Sequence, residues 1–313
     1  MKFTLKLIAA SLALAAAGQA NATIASQDTP GNIGGAEMFL AVWDSGAQKS
    51  YVRDLGVKFN DFLPAAGLGA TTGFSSQLDK TSLGNIITST ARPVAGTVGF
   101  AAGFGAAPSV ELGSVLSSGY SLSFAPDPLL ASFLGTAGSL STSLQWMVGA
   151  FDNTGNTVVN GRRALTTSNG AVAINNLSLG NFSSGSAGYI TANNGIPTMG
   201  SGTATNGSAT AVKADGSAYF DTAGFPMSSW GNNAPFSNLA AVGTSQKFVF
   251  LGVSSSNGSD AAIVNPFTGA SWNLDAAGNL TYAVAPVPVP AAVWLFASGV
   301  LGLVSVARRR LQS

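Results

Sequence analysis

The side chains able to do chemistry in this chain are few, and two absences narrow the field at once. Histidine and cysteine are both missing from the 313 residues. That removes Ser-His-Asp and Cys-His nucleophiles, the usual imidazole base, zinc–thiolate sites and disulfides. An acid–base pair would have to be built from carboxylates, and Glu37 and Glu111 are the only glutamates. Two carboxyl groups flanking a glycosidic bond can hydrolyse it without histidine. Nothing in the spacing brings these two together, however, and Glu37 opens a strand-like run where a solvated edge position is expected. Glycoside hydrolysis is the least favoured reading, and no catalytic residue is assigned.

Two further stretches carry ligand-type side chains. Asp152-Asn153-Thr154-Gly155-Asn156 is rich in the oxygens that calcium takes, but it lacks the closing bidentate glutamate of an EF-hand loop. A plain hairpin turn uses the same residue types, so no metal or cofactor is expected, calcium here being the one exception to keep in view. Over 218–233, Tyr219, Phe220, Phe225 and Trp230 are interleaved with Asp, Ser and Asn. Aromatic faces beside amides and hydroxyls hold sugars, which makes Tyr219 and Trp230 candidates for binding an exopolysaccharide. The same rings, each covering roughly 150–250 Å², would equally close the end of a β core, and that is the expected role.

The elements that must position these side chains lie between two very different ends. Lys2 and Lys6 precede an uncharged apolar run over 7–17, and Ala20-Asn21-Ala22 supplies a small-x-small cleavage pattern. This is the three-part form of a secretory leader over 1–22, cut by signal peptidase between Ala22 and Thr23. At the other end, residues 291–307 carry no charge and stop at Arg308, Arg309 and Arg310. As a helix the segment would be about 26 Å long, enough for a thin bilayer core. Basic residues stay on the cytoplasmic side, so the body is expected outside the inner membrane, with 308–313 as a basic cytoplasmic tail.

Residues 285–290 lead into that segment through Pro286, Pro288 and Pro290, which hold the backbone extended and keep it from joining a sheet. The run Val287-Pro288-Val289-Pro290-Ala291-Ala292-Val293-Trp294-Leu295-Phe296, closed by the arginine triplet, resembles a PEP-CTERM sorting tail. It is most similar to the variant that reads Val-Pro-Leu-Pro-Ala-Ala-x-Trp-Leu-Phe. The resemblance implies an exported precursor, held in the inner membrane and recognised by an exosortase. It further implies trimming near Pro288-Val289-Pro290 and delivery to the cell envelope or extracellular matrix, often in cells that make exopolysaccharide. Val289 stands where the family's namesake motif has a glutamate. The resemblance covers about the last 25 residues and says nothing about the body.

The body, residues 23–284, holds all 13 acidic residues and nine of the 14 basic ones, a net charge of −4. A mildly acidic surface argues against nucleic-acid binding, which needs clustered Lys and Arg. Short runs rich in β-branched and aromatic residues predict strands over 37–43, 48–55, 97–104, 144–151, 157–165, 247–254, 271–274 and 280–284. Asp127 as N-cap, Pro128 at the first position and Gly135 at the stop predict one short helix, and 108–118 a second. Residues 198–211, almost wholly small and polar, read as a mobile loop or a weak edge strand. The expectation is an all-β fold, a β-sandwich or jelly-roll-like body. Functionally, it is an exported structural protein of the cell surface or matrix, with a carbohydrate-binding module as the alternative.

Overall fold

The computed structural model describes residues 23–26, 36–62, 121–136, 144–152, 163–199, 207–221, 234–252 and 257–285. The leader with Ala20 and Ala22, and the tail with Pro288, Val289, Pro290 and Arg308 to Arg310, lie outside the described residues. So do the expected strand at 97–104 and the expected helix at 108–118.

Alternation builds the first hairpin. In β1 (Glu37–Asp44), Met38, Leu40 and Val42 enter one core while Phe39, Ala41 and Trp43 enter another. Successive strand side chains point to opposite faces, and here both faces are covered, so the strand is apolar throughout. The chain reverses over 45–48, where Asp44 Oδ1 accepts the Gly46 and Ala47 N–H groups at 3.0 Å each. β2 (Lys49–Lys58) returns antiparallel, setting Asp44 opposite Lys49 and Phe39 opposite Asp54, with a bulge between Glu37 and Phe39.

A helical turn α1 (Phe59–Phe62) follows, then β3 (Ser121–Phe124), α2 (Pro128–Thr136), β4 (Leu144–Asp152) and β5 (Arg163–Ser168). The rest is α3 (Asn176–Asn194), β6 (Ser208–Val212), β7 (Ala240–Ala241), β8 (Gln246–Gly252), β9 (Ile263–Leu274) and β10 (Leu280–Val284). The fold is mostly β and antiparallel, as expected. The two separate sheets of a sandwich or jelly roll are not what the described strands form. All ten join one sheet in the order β3-β10-β9-β8-β5-β4-β1-β2-β6, with β7 attached to β4.

That sheet curls into a half-barrel. Tyr51 on β2 donates its hydroxyl to Asp127 Oδ2, and Arg53 Nη1 donates to the Ala125 carbonyl, each at 2.5 Å. Ala125 and Asp127 follow directly on β3, which stands at the other end of the strand order. Side-chain bonds thus tie β2, which lies next to the β6 margin, to the segment that leaves β3. Asp127 also caps α2, its Oδ1 accepting the Leu130 N–H at 2.8 Å, as the Asp-Pro pair predicts. Burial, and then the neighbouring Asp127 carboxylate, raise the Tyr51 hydroxyl far above its usual range, so it donates at any ordinary pH.

The concave side is filled by rings. Phe62 lies against Phe248, Tyr282 and Phe267 at 5.5, 5.4 and 5.7 Å between centroids. Arg163, fully buried, spreads its guanidinium over Phe59 at 4.0 Å. The convex side is covered by α3, a 19-residue helix that no pattern in the sequence predicts. Gly180, Gly185 and Gly188, with several serines, give it poor intrinsic propensity. Tertiary contacts hold it instead. Asn175 Oδ1 caps it through the Ser178 N–H at 2.8 Å, and Leu179, Phe182, Tyr189 and Ile190 pack into the convex core. The small residues Gly180, Ser183, Gly185 and Ser186 are buried beside them.

Elsewhere the differences are of extent. The strand expected at 157–165 is described from Arg163 and runs on to Ser168. Of the stretch 198–211, residues from Ser208 onward form β6, at the margin of the sheet.

Candidate functional site

Tyr219 follows a short 3-10 turn (Lys213–Ala218) and lies inside the convex core, 3% exposed. Its hydroxyl accepts the Trp43 indole N–H at 2.7 Å. Phe220, fully buried, packs against Trp43 and Tyr189 at 6.2 and 5.6 Å. Asn193 fixes this corner from α3: its Nδ2 donates to the carbonyls of Tyr189 at 2.9 Å and Ala218 at 3.0 Å. The Tyr219 ring therefore serves the core and offers no face to solvent. Trp230, with the rest of 222–233, lies outside the described residues, so the two candidate sugar-binding residues are not brought together here.

Glu37 sits at the start of β1, where its Oε2 accepts the Ala25 N–H at 2.8 Å while its own N–H donates to the Ala25 carbonyl. Glu111 lies outside the described residues. The carboxylate nearest in effect is one the sequence does not single out, Asp54. Burial first, and the Glu37 carboxylate second, push it up to about 7, against the opposing pull of the Gly56 N–H and Arg53. A carboxyl poised there can exchange a proton near neutrality. Yet Asp54 Oδ1 is engaged by the Gly56 N–H at 2.7 Å, and Gly56 takes a positive φ of 62° at the bulge. This is the local geometry of a kinked strand. Asp152 closes β4, and the remainder of the candidate calcium loop lies outside the described residues. Among the described residues no three carboxylates gather as a metal site.

Among the described residues a concave feature opens to solvent. A cleft of about 450 Å³ lies between α2 and the outer strand β6, lined by Lys49, Leu129, Phe133, Thr210, Val212 and Asp215. Lys49 is exposed and makes no ion pair among the described residues. Asp215 Oδ2 accepts the Val212 N–H at 2.8 Å, and Val212 is 41% exposed. The arrangement offers one cationic donor, one carboxylate and an apolar floor. It can hold a small amphipathic group, and it contains no nucleophile with an activating base. Its residues come from three separated segments, two of them plain in sequence, which is why no motif announces it.

Among the described residues no helix is long and apolar enough to cross a membrane; residues 291–307 are not among them. Comparison of the chain with protein-family models, with curated proteins and with solved structures gives no match in any of the three.

Proposed function

We propose that the chain is an exported, non-enzymatic structural protein of the cell surface or extracellular matrix, sorted through its C-terminal tail by an exosortase. The reading is carried by one observation: Pro286 to Pro290, an uncharged segment over 291–307 and Arg308 to Arg310 follow each other without interruption. The hydrogen bonding at the end of the described body is consistent with it. Among the described residues the last backbone bond runs from the Ala285 N–H to the Gly269 carbonyl at 2.8 Å, one residue before Pro286. A scissile segment must be reachable by its protease, and prolines that cannot enter a sheet keep it so. The leader over 1–22 takes the body out, the arginines halt the tail at the inner membrane, and trimming near Pro288-Val289-Pro290 releases or attaches the product.

The test is the mass of the protein recovered from a host with an active exosortase. A membrane-bound precursor should give way to a smaller product without the arginine triplet. Replacing Pro288 and Pro290 with alanine should leave insertion intact and cause the precursor to accumulate. Recovery of the uncut chain alone, ending at Ser313, would rule out the sorting reading.

A further inference from the structure

We propose that the anchored body stands on the bilayer by one defined end of its half-barrel and presents the other end, which carries the α2–β6 cleft, away from the membrane. This rests on reading 291–307 as a membrane helix. The register assigns the two ends. Glu37, Asp152, Arg163, Gly252 and Ile263 share one rim, because Glu37 begins β1, Asp152 pairs with Arg163, Arg163 with Gly252 and Gly252 with Ile263. The opposite rim carries Asp44, Lys49, Val212, Leu274 and Leu280. β10 runs from Leu280, opposite Leu274, to Val284, opposite Ala270, so the chain leaves the fold heading for the Ile263 rim.

Chain length then decides how far the body can stand off. From Ala285 to Ala291 there are six Cα steps, a reach of about 20 Å when fully extended. From Gly269, which holds the Ala285 N–H, to the start of β9 at Ile263 there are also six steps, about 20 Å of strand. The tether is no longer than the length of β9 between Gly269 and Ile263, so a membrane helix starting at 291 begins no farther out than the Ile263 rim. To bring the Leu274 rim down instead, the tether would have to reverse. A reversal consumes at least two residues, leaving about 10 Å against about 17 Å of strand from Gly269 to Leu274. Val287 and Val289 each precede a proline, which steers them away from the helical and left-handed backbone that a tight reversal needs.

The other terminus agrees. Ala25 exchanges hydrogen bonds with Glu37, and Asn194 grips Ile24 through both its N–H and its carbonyl, at 3.0 and 2.8 Å. The chain thus enters the fold beside the start of β1, on the same rim. A leader still in the membrane would be joined to Ile24 by a span as short as the C-terminal one. Both attachments pull the same end down.

The chain has no native cysteine, so single cysteines can report position without background. Ala261 and Ser259 are exposed beside the Ile263 rim; Ala47 and Ala276 are exposed in turns at the opposite rim. Each would be changed to cysteine in the chain from Thr23 to Ser313, freed of the leader so that 291–307 is the one attachment tested, and labelled with a fluorophore. The protein would then be reconstituted in phosphatidylethanolamine–phosphatidylglycerol vesicles containing headgroup-spin-labelled lipid. Quenching should be several-fold stronger for Ala261→Cys and Ser259→Cys than for Ala47→Cys and Ala276→Cys. A Gly/Ser insert of about 20 residues after Ala285 should abolish that difference. Equal quenching at both rims without the insert, or the reverse order, overturns the orientation alone. A chain that fails to co-float with the vesicles overturns the membrane-helix reading, and the orientation falls with it. An unchanged urea midpoint for each variant excludes misfolding as the cause.

Discussion

On the concave side of the sheet, Phe62 stands edge-on to Phe248 and Tyr282; on the convex side, Asn193 reaches from α3 to the backbone of Ala218. Both sides bury large rings. They differ in what fixes the covering element in place. The concave plugs are short, α1 with four residues and α2 with nine; α1 is held by the rings it inserts, and α2 by Leu130 and Phe133 with a single cap, Asp127, at its start. The convex cover is a long helix of poor propensity, positioned by amide side chains: Asn175 at its start, Asn176 donating to the Asn257 carbonyl at 2.9 Å, Asn193 and Asn194 at its end. Apolar packing is strong and tolerant of direction, whereas hydrogen bonds are individually modest but set a position. A glycine- and serine-rich helix can therefore be placed reproducibly without a strong apolar stripe.

That contrast can be broken from either side. The largest loss is expected from Phe62→Ala, about 3–5 kcal/mol, read as a lowered urea midpoint of the 23–285 body. A loss near zero would mean that the rings around Phe62 do not depend on it. Next comes Gly149→Val on β4. A side chain there would start 2.4 Å from the Phe151 ring and 2.7 Å from Met147, which the convex packing cannot accept without shifting. The expected cost is about 1–3 kcal/mol. Asn193→Ala leaves the buried Ala218 carbonyl without its side-chain donor and should cost about 1–2 kcal/mol. Its sharper readout is amide exchange, which should speed up across α3 and leave β9 and β10 unchanged. Equal acceleration in both places would erase the distinction between the two sides.

The smallest effect is a pH dependence at the β1–β2 bulge. Asp54 has a folded-state value of about 7 against 3.8 for the free side chain, so the folded state holds this proton more tightly. Its contribution is fully present below about pH 4, is lost as pH rises through about 7, and is level above that. Because the carboxyl is only half-buried, about 1 kcal/mol is a reasonable size. Asp54→Asn should flatten this slope and raise the melting temperature at pH 8. An unchanged slope would show that Asp54 is not the titrating group.

The concave half of the molecule was the legible half. Glu37 to Trp43, the turn after Asp44, the Asp127-Pro128 start of α2 and the closing β9–β10 hairpin each carry their own local signal, either alternation or turn chemistry. The closing turn shows why: Asp275 Oδ1 accepts the N–H groups of both Ala277 and Asn279, and Gly278 supplies the positive φ. α3 lacked any such signal. Its buried positions at Leu179, Phe182, Ser186, Tyr189 and Asn193 do follow helical spacing, but two of the five are polar and the glycines between them mimic a linker. The single curled sheet was also hidden, since strand order depends on pairings such as β5 with β8 that no local pattern encodes. Tyr219 was legible only as an alternative between core and sugar face, and its bond to Trp43 comes from 176 residues away.

The bond between Asp215 and the Val212 N–H bears on how such bodies behave when crowded. Lys213 N–H donates to the Gln48 carbonyl and Asp54 N–H to the Gly207 carbonyl, so the backbone groups of 207, 209, 211 and 213 face β2. Those of Ser208, Thr210 and Val212 face away from β2, on the side where a neighbour's strand would add itself, although Ser208 is fully buried there. Asp215 occupies the last of those donors and sets a negative charge where an incoming carbonyl would have to lie. That contact works against strand addition at this edge of the sheet.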